Sequence, residues 1–310
     1  MGKNMLRIIQ KIQEKLLNLN KKQIAIILII LAMAFLLATF AFNILTKDNV
    51  ETGIWVKGNH MNDVDLDTLS KYGIKDVFLH SSAVDIYGEK NVSNWIKKAN
   101  SKNIKVHLWV QCFYDKTWIN PINTTTKNFN YPHFNKKINE IKKLSTIEGV
   151  GGIQLDYIRY PGNAYEYSYP NGVTASNAIT KFVTMVSDEL DDNLTLSITV
   201  MPEKEGIKYY GQDIHALSWY ADVIIPMAYS GNYNESFPWI KETSSYFKQT
   251  AIWSNVCIGI QVYVSDVNQT PLSGKELKNH CQVALDGGSD GVALFTWELM
   301  DNWFDLNSLK

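Results

Sequence analysis

The sequence has little of what metal, disulfide or nucleotide chemistry needs. Three cysteines in 310 residues (Cys112, Cys257, Cys281) make no disulfide framework, their number is odd, and buried free thiols are the expected state. Six histidines are scattered, with no cysteine or acid at ligand spacing, so no metal site is expected. No Gly-rich phosphate loop follows the first strand and no G-x-S-x-G elbow occurs, so no cofactor is expected. A surface peptidase or amidase would lack its metal or nucleophile. The formal net charge of −1 argues neither for nucleic acid nor for an acidic ligand, and no nucleic-acid partner is expected.

That charge is unevenly spread. Residues 1–22 hold six basic residues (Lys3, Arg7, Lys11, Lys15, Lys21, Lys22) against Glu14 alone, and the remainder is acidic. From Ile24 to Phe42 there is no charge and a single hydroxyl, Thr39. At about 1.5 Å per residue such a run nearly spans a hydrocarbon core of about 30 Å. The expected organisation is a cytoplasmic basic segment (1–22), a single transmembrane helix (23–46), a stem (47–52) and a domain outside the membrane (53–310). The alternative is a signal cleaved near Thr39–Ala41 and a secreted domain, but signal cores usually run only about 7–15 residues. Five Asn-x-Ser/Thr sequons (Asn91, Asn123, Asn193, Asn234, Asn268) all follow the apolar run, which fits an exterior location.

From residue 53 one unit repeats: a short apolar strand, a loop, an amphipathic helix. Strands are predicted at 53–58, 76–81, 105–111, 151–158, 194–202, 222–229, 255–263 and 291–298. Helical patterns follow at 64–72, 92–101, 134–145, 175–190, 213–219, 239–248, 274–285 and 299–306. Alternating strands and helices require a parallel sheet with right-handed crossovers. Eight units in this length match an α/β fold of the (β/α)8 TIM-barrel type, for which roughly 250 residues are typical. A doubly wound open sheet is the second choice.

The chain is organised around Gly151 to Pro161, a buried strand that ends in an acid, an arginine and a proline turn. Alternation puts Gln154, Asp156 and Ile158 on one face, the inner one. Burying the two polar groups without partners costs roughly 2–7 kcal/mol each, so a functional site is expected at the strand's carboxyl end. Counting by twos on the other strands turns Trp55, Lys57, His80, Trp109, Gln111, Thr199, Met201, Glu203, Met227, Tyr229, Gln261, Tyr263 and Trp297 inward. Aromatic and hydrogen-bonding residues thus collect at the carboxyl ends, as a carbohydrate cleft would require. Loops 112–133 and 162–173 add Tyr114, Trp118, Phe129, Tyr131, Tyr165, Tyr167 and Tyr169 to that face.

Leu155-Asp-Tyr-Ile-Arg-Tyr-Pro161 resembles the D-Y-[IV]-R-[YF]-P signature of glycosyl-hydrolase-like (β/α)8 barrels, distantly similar to the family 18 (chitinase-type) glycosidases. Pro226-Met-Ala-Tyr229 is similar to the Met-x-Tyr at the sixth strand of that wider group. Leu294-Phe-Thr-Trp-Glu298 is similar to its eighth-strand Trp, which floors a sugar subsite. The fourth strand departs from the chitinase pattern G-x-D-x-D-x-E: Gln154 stands at the first aspartate, Asp156 at the second, and Ile158 where the proton-donating glutamate belongs. The resemblance implies polysaccharide cleavage.

Glycoside hydrolysis ordinarily needs two carboxyl groups. Asp156 is the first candidate, with Arg159 expected to lower its pKa and keep it ionised as nucleophile or stabiliser. Glu203 and Glu298 are the candidates for the general acid. Trp55, Lys57, His80, Trp109, Gln111, Arg159, Tyr229, Gln261 and Trp297 are expected to bind the sugar. The expected function is a membrane-anchored glycoside hydrolase on a cell-envelope or environmental polysaccharide, with the lipid bilayer as second partner. The alternative, a catalytically silent glycan-binding barrel, draws on Ile158.

Overall fold

The computed structural model describes residues 51–310 and, apart from them, position 33. The basic segment, the transmembrane helix and most of the stem expected from the sequence lie outside the described residues. Among the described residues no helix is long and apolar enough to cross a membrane.

Eight strands close into one parallel barrel: β1 (Glu51–Val56), β2 (Asp76–His80), β3 (Lys105–Gln111), β4 (Gly152–Asp156), β5 (Thr195–Val200), β6 (Val223–Pro226), β7 (Asn255–Gln261) and β8 (Gly291–Phe295). Each pairs with its sequence neighbours and β8 closes on β1. The eight predicted strands are therefore all present. Residues alternate between two apolar environments, as the pleat demands. Trp55, Phe78, Trp109, Ile225, Cys257 and Ala293 pack inside the barrel, whereas residues such as Ile54, Val77, Leu108, Leu155 and Ile258 pack against the helices. Gly152 is small for a reason: a Cβ there would stand 2.4 Å from both the Thr195 carbonyl and the His107 ring of the flanking strands. The three cysteines are buried and unpaired.

The long outer helices agree with their amphipathic patterns: Glu89–Asn100, Tyr131–Ser145, Ala175–Ser187, Phe237–Thr250 and Gly274–Asp286. Side-chain caps start several of them, Asn130, Thr174 and the Ser273–Glu276 capping box among them. The helix expected at 299–306 is absent; short 3-10 turns at Trp297–Leu299 and Leu306–Ser308 occupy the region. Most strands stop before their predicted ends. Tyr157 takes a left-handed φ of 52° immediately after β4, so the chain turns out of the sheet at Asp156 and the alternation stops there. That turn leaves the Asp156 carboxylate at the barrel mouth and sends Ile158 into the outer core, fully buried.

Candidate active site

Two cavities lie at opposite ends of the barrel. The one at the strands' amino ends is small, about 80 Å³, and lined by Glu51, Asp76, His107 and neighbours. The one at the carboxyl ends holds about 420 Å³, inside the range of roughly 300–1,000 Å³ usual for ligand sites. Its walls are Trp55, Trp109, Tyr157, Tyr229, Tyr233 and Phe295, with Gln111, Asp156, Arg159, Thr199, Asn232 and Asp266 among the polar residues.

Asp156 is only 7% exposed and its carboxylate is fully engaged. Oδ2 accepts the Trp109 indole N–H at 2.9 Å; Oδ1 accepts the Thr199 hydroxyl at 2.6 Å and the main-chain N–H of Tyr157 at 2.7 Å. One layer deeper, Trp55 donates its indole N–H to Gln154 Oε1 at 2.5 Å. The two tryptophans are thus held by the two polar residues of β4, each with one ring edge bonded inward.

Arg159 does not pair with Asp156, contrary to expectation. The left-handed turn at Tyr157 swings it outward, where its guanidinium lies 4.7 Å over Trp118, 5.3 Å over Tyr157 and 5.7 Å over Tyr210. It organises an aromatic wall that Tyr114 extends by stacking on Tyr157 at 4.9 Å. Tyr229 stacks on Phe295 at 5.2 Å. Burial, then the Asp156 charge, pushes the Tyr229 phenol well above its ordinary pKa, so its hydroxyl remains a proton-bearing donor. Burial likewise lowers the His80 pKa, with Asp156 opposing only in part.

Of the residues singled out from the sequence, Asp156, Trp55, Trp109, Gln111, Arg159 and Tyr229 line this cavity. Lys57, His80, Glu203, Gln261, Trp297 and Glu298 are not among its walls. Lys57 follows the end of β1 and is exposed at the start of a 3-10 turn. His80 is engaged by Ser82 at 2.8 Å and meets Trp109 edge-on. Gln261 stands behind Asn232, to which it donates at 3.1 Å. Glu203 lies past the end of β5 and accepts from Tyr210 at 2.8 Å; that bond, after burial, helps push the Tyr210 pKa to about 12. Because β8 ends at Phe295, that ring takes the wall position expected of Trp297.

Glu298 serves as a clamp. Oε1 accepts the Lys57 main-chain N–H at 2.6 Å and Oε2 accepts the buried Thr296 hydroxyl, tying the exit of β8 to that of β1. Lys57 is exposed to water and the Thr296 hydroxyl also reaches the Trp55 carbonyl at 3.0 Å, so Glu298→Ala should cost about 0.5–1.5 kcal/mol, the net worth of a hydrogen bond, while turnover well below the thermal transition stays near wild type. Melting and activity measured together check this; a large loss of turnover without a loss of stability would return Glu298 to the chemistry.

The sequence reading missed Asp266, Asn232 and Tyr233, and placed Thr199 inward without giving it a role. Asn232 and Tyr233 belong to the short helix Ser230–Tyr233 after β6, and Asp266 to the hairpin that follows β7. Strand phase says nothing about such excursions. The alternation Tyr263-Val-Ser-Asp-Val-Asn-Gln-Thr-Pro271 was the available signal, an Asp at the tip of a hairpin.

A family model described as "DUF4015: Putative glycosyl hydrolase domain" matches residues 75–257, from the foot of β2 into β7, and so includes Asp156. No curated protein matches the sequence. Among solved structures, the glycoside hydrolase domain of PgaB (BpsB) from Bordetella bronchiseptica aligns with a TM-score of 0.61 at 9% identity, covering 81% of this chain and 95% of that one. The C-terminal domain of a "putative chitinase" from Desulfitobacterium hafniense gives 0.60 at 15% identity, covering 81% and 95%. The spore cortex-lytic enzyme SleL from Bacillus cereus gives 0.58 at 12% identity, covering 81% and 71%. At these identities the likeness shows a shared barrel.

Proposed function

The chain belongs to the family described as "Putative glycosyl hydrolase domain", and from that membership we propose that it hydrolyses glycosidic bonds within a polysaccharide, with Asp156 at the reacting carbon. The observation that carries this is one buried carboxylate, held by three donors, at the base of an aromatic cavity at the carboxyl ends of the strands. Positive charge develops on the anomeric carbon as the bond breaks, and a fixed carboxylate meets that charge without reorganising. Tyr157, Tyr229 and Tyr233 offer ring surface to sugars above the buried Trp55 and Trp109, while Gln111, Arg159 and the Tyr229 hydroxyl fix orientation. The glycoside hydrolase, chitinase and cortex-lytic descriptions of the structural relatives support a polymeric glycan as substrate.

The charge pattern of residues 1–42 supports the location: basic segment inside, one membrane span, barrel outside. The polymer is then one met at the cell surface.

Both parts are tested on the full-length chain expressed in membranes. After a carbonate wash the chain should stay with the membrane; recovery in the supernatant with a shortened N-terminus would favour a cleaved signal. The washed membranes, offered a panel of envelope polysaccharides, should release new reducing ends from at least one. Retention on a polymer without any release would instead identify a silent glycan-binding barrel, and release of amines alone an amidase.

A further inference from the structure

The glycosidase reading leaves one carboxyl group unassigned. Two are ordinarily needed, and Ile158 offers none at the position where the fourth strand of the chitinase type carries its acid. Of the residues lining the cavity, the carboxylates are Asp156 and Asp266. We propose that Asp266, carried on the hairpin after β7, is the general acid and base that works opposite Asp156.

The hairpin runs from Tyr263–Ser265 to Asn268–Pro271 and is fastened to the short helix after β6. Asn232 holds Asp266 twice, donating from Nδ2 to Oδ2 at 2.9 Å and accepting the Asp266 main-chain N–H on Oδ1 at 2.8 Å. The Tyr263 hydroxyl contacts Oδ1 at 2.8 Å. A side chain at a hairpin tip thereby acquires a fixed place, and catalysis requires this of a proton donor. The charges of Asp156 and Asp266 both act on the phenols of Tyr157 and Tyr229, so the acids share the site from two sides.

The two acids are held by similar partners and differ in place. Asp156 accepts an indole N–H on one oxygen, and a main-chain N–H and the Thr199 hydroxyl on the other. Asp266 accepts the Asn232 amide on one oxygen, and the Tyr263 hydroxyl at 2.8 Å and the Gln261 amide at 3.4 Å on the other. Asp156 is buried at the base of the cavity, whereas Asp266 lines it from an exposed hairpin, open to the water that supplies and removes protons. Burial first, and hydrogen bonding to Asp266 among the further causes, push the Tyr263 pKa to about 12, so its hydroxyl keeps its proton beside the acid.

In the reaction the bond from the anomeric carbon to the departing oxygen breaks, and its electron pair goes to that oxygen, which takes the Asp266 proton. Asp156 meets the charge left on carbon. Water then bonds to that carbon, and the proton it releases restores Asp266. One water is consumed and a new hydroxyl appears on each fragment.

This assignment rests on the glycosidase reading, and the experiment separates the two. Full-length wild type, Asp266→Asn and Asp266→Glu are assayed on the polysaccharide that wild type cleaves and on dinitrophenyl glycosides of N-acetylglucosamine, glucose and galactose. A dinitrophenol leaves without a proton, so loss of the acid should spare its release. Asp266→Asn should lose polymer cleavage by roughly 10²–10⁴-fold and keep dinitrophenol release within about tenfold. Asp266→Glu should recover part of the polymer activity. Equal losses on both substrates, or wild-type polymer cleavage by Asp266→Asn, would overturn the assignment while leaving the glycosidase standing. A wild type inactive on every polymer and every aryl glycoside would sink the glycosidase reading, and the role of Asp266 with it.

Discussion

Asp156→Asn should reduce polysaccharide cleavage by about 10³-fold or more, because it removes the one charge placed to meet the charge on the anomeric carbon. Unlike loss of the acid, this loss should be equally severe for polymer and for dinitrophenyl glycosides, since both pass through the same charged carbon. Stability should not escape. The asparagine amide must set an NH₂ where Asp156 now accepts either from Trp109 or from Thr199 and the Tyr157 main chain. Two donors then face each other inside a site that is 7% exposed, at a cost of about 1–3 kcal/mol. For a domain of this size about 1 kcal/mol lowers the melting temperature by roughly 2–4 °C, so a drop of several degrees is expected, with the barrel still folded at assay temperature. Thermal melts and initial rates on both substrate classes decide it. Unchanged turnover would remove Asp156 from the mechanism.

The readable part of this protein is the part built on alternation. Trp55, Trp109, Gln111 and Asp156 lie within strands, and counting by twos puts each of them on the cavity wall. The count is less reliable at and beyond the strand ends. β1 stops at Val56, β5 at Val200 and β8 at Phe295, and Lys57, Glu203 and Trp297 beyond them are not cavity walls, nor are His80 and Gln261 at the last positions of β2 and β7. Met201, Met227 and Tyr229 also lie beyond their strands, yet reach the cavity. At the β6 exit the Met227 main-chain N–H bonds to the Val200 carbonyl at 3.0 Å and Met227 bridges to Gly259, which keeps that segment against the barrel. Three-residue spacing predicts an Asp156–Arg159 pairing, but a single left-handed residue between them separates the side chains. Asp266 was invisible for a further reason: its position depends on how a hairpin docks against Ser230–Tyr233, and that contact is not encoded in either segment alone.

That docking makes Gly231→Ala the most informative change outside the cavity walls. A Cβ at Gly231 would stand 1.6 Å from the Val264 carbonyl oxygen and 3.2 Å from Gln261 Oε1. The first partner is main chain, with no flexible end to swing aside, so the hairpin itself must retreat. Overpacking of this kind costs typically about 1–3 kcal/mol, which fixes the expected fall in melting temperature. The effect on catalysis should be larger than that fall implies. Asp266 is two residues from Val264, and Asn232, its clamp, is next to Gly231; displacing one past the other breaks the paired hydrogen bonds that fix the acid. A misplacement of about 1 Å can cost on the order of 10²-fold in rate. Polymer cleavage should therefore fall by about that factor while dinitrophenol release is spared, reproducing the pattern of Asp266→Asn without touching any ionisable group. Ser230→Ala, one position earlier, adds no such clash and should behave as wild type. If Gly231→Ala melts lower but cleaves polymer at the wild-type rate, the position of Asp266 does not matter to the reaction, and the proton must come from elsewhere in the cavity.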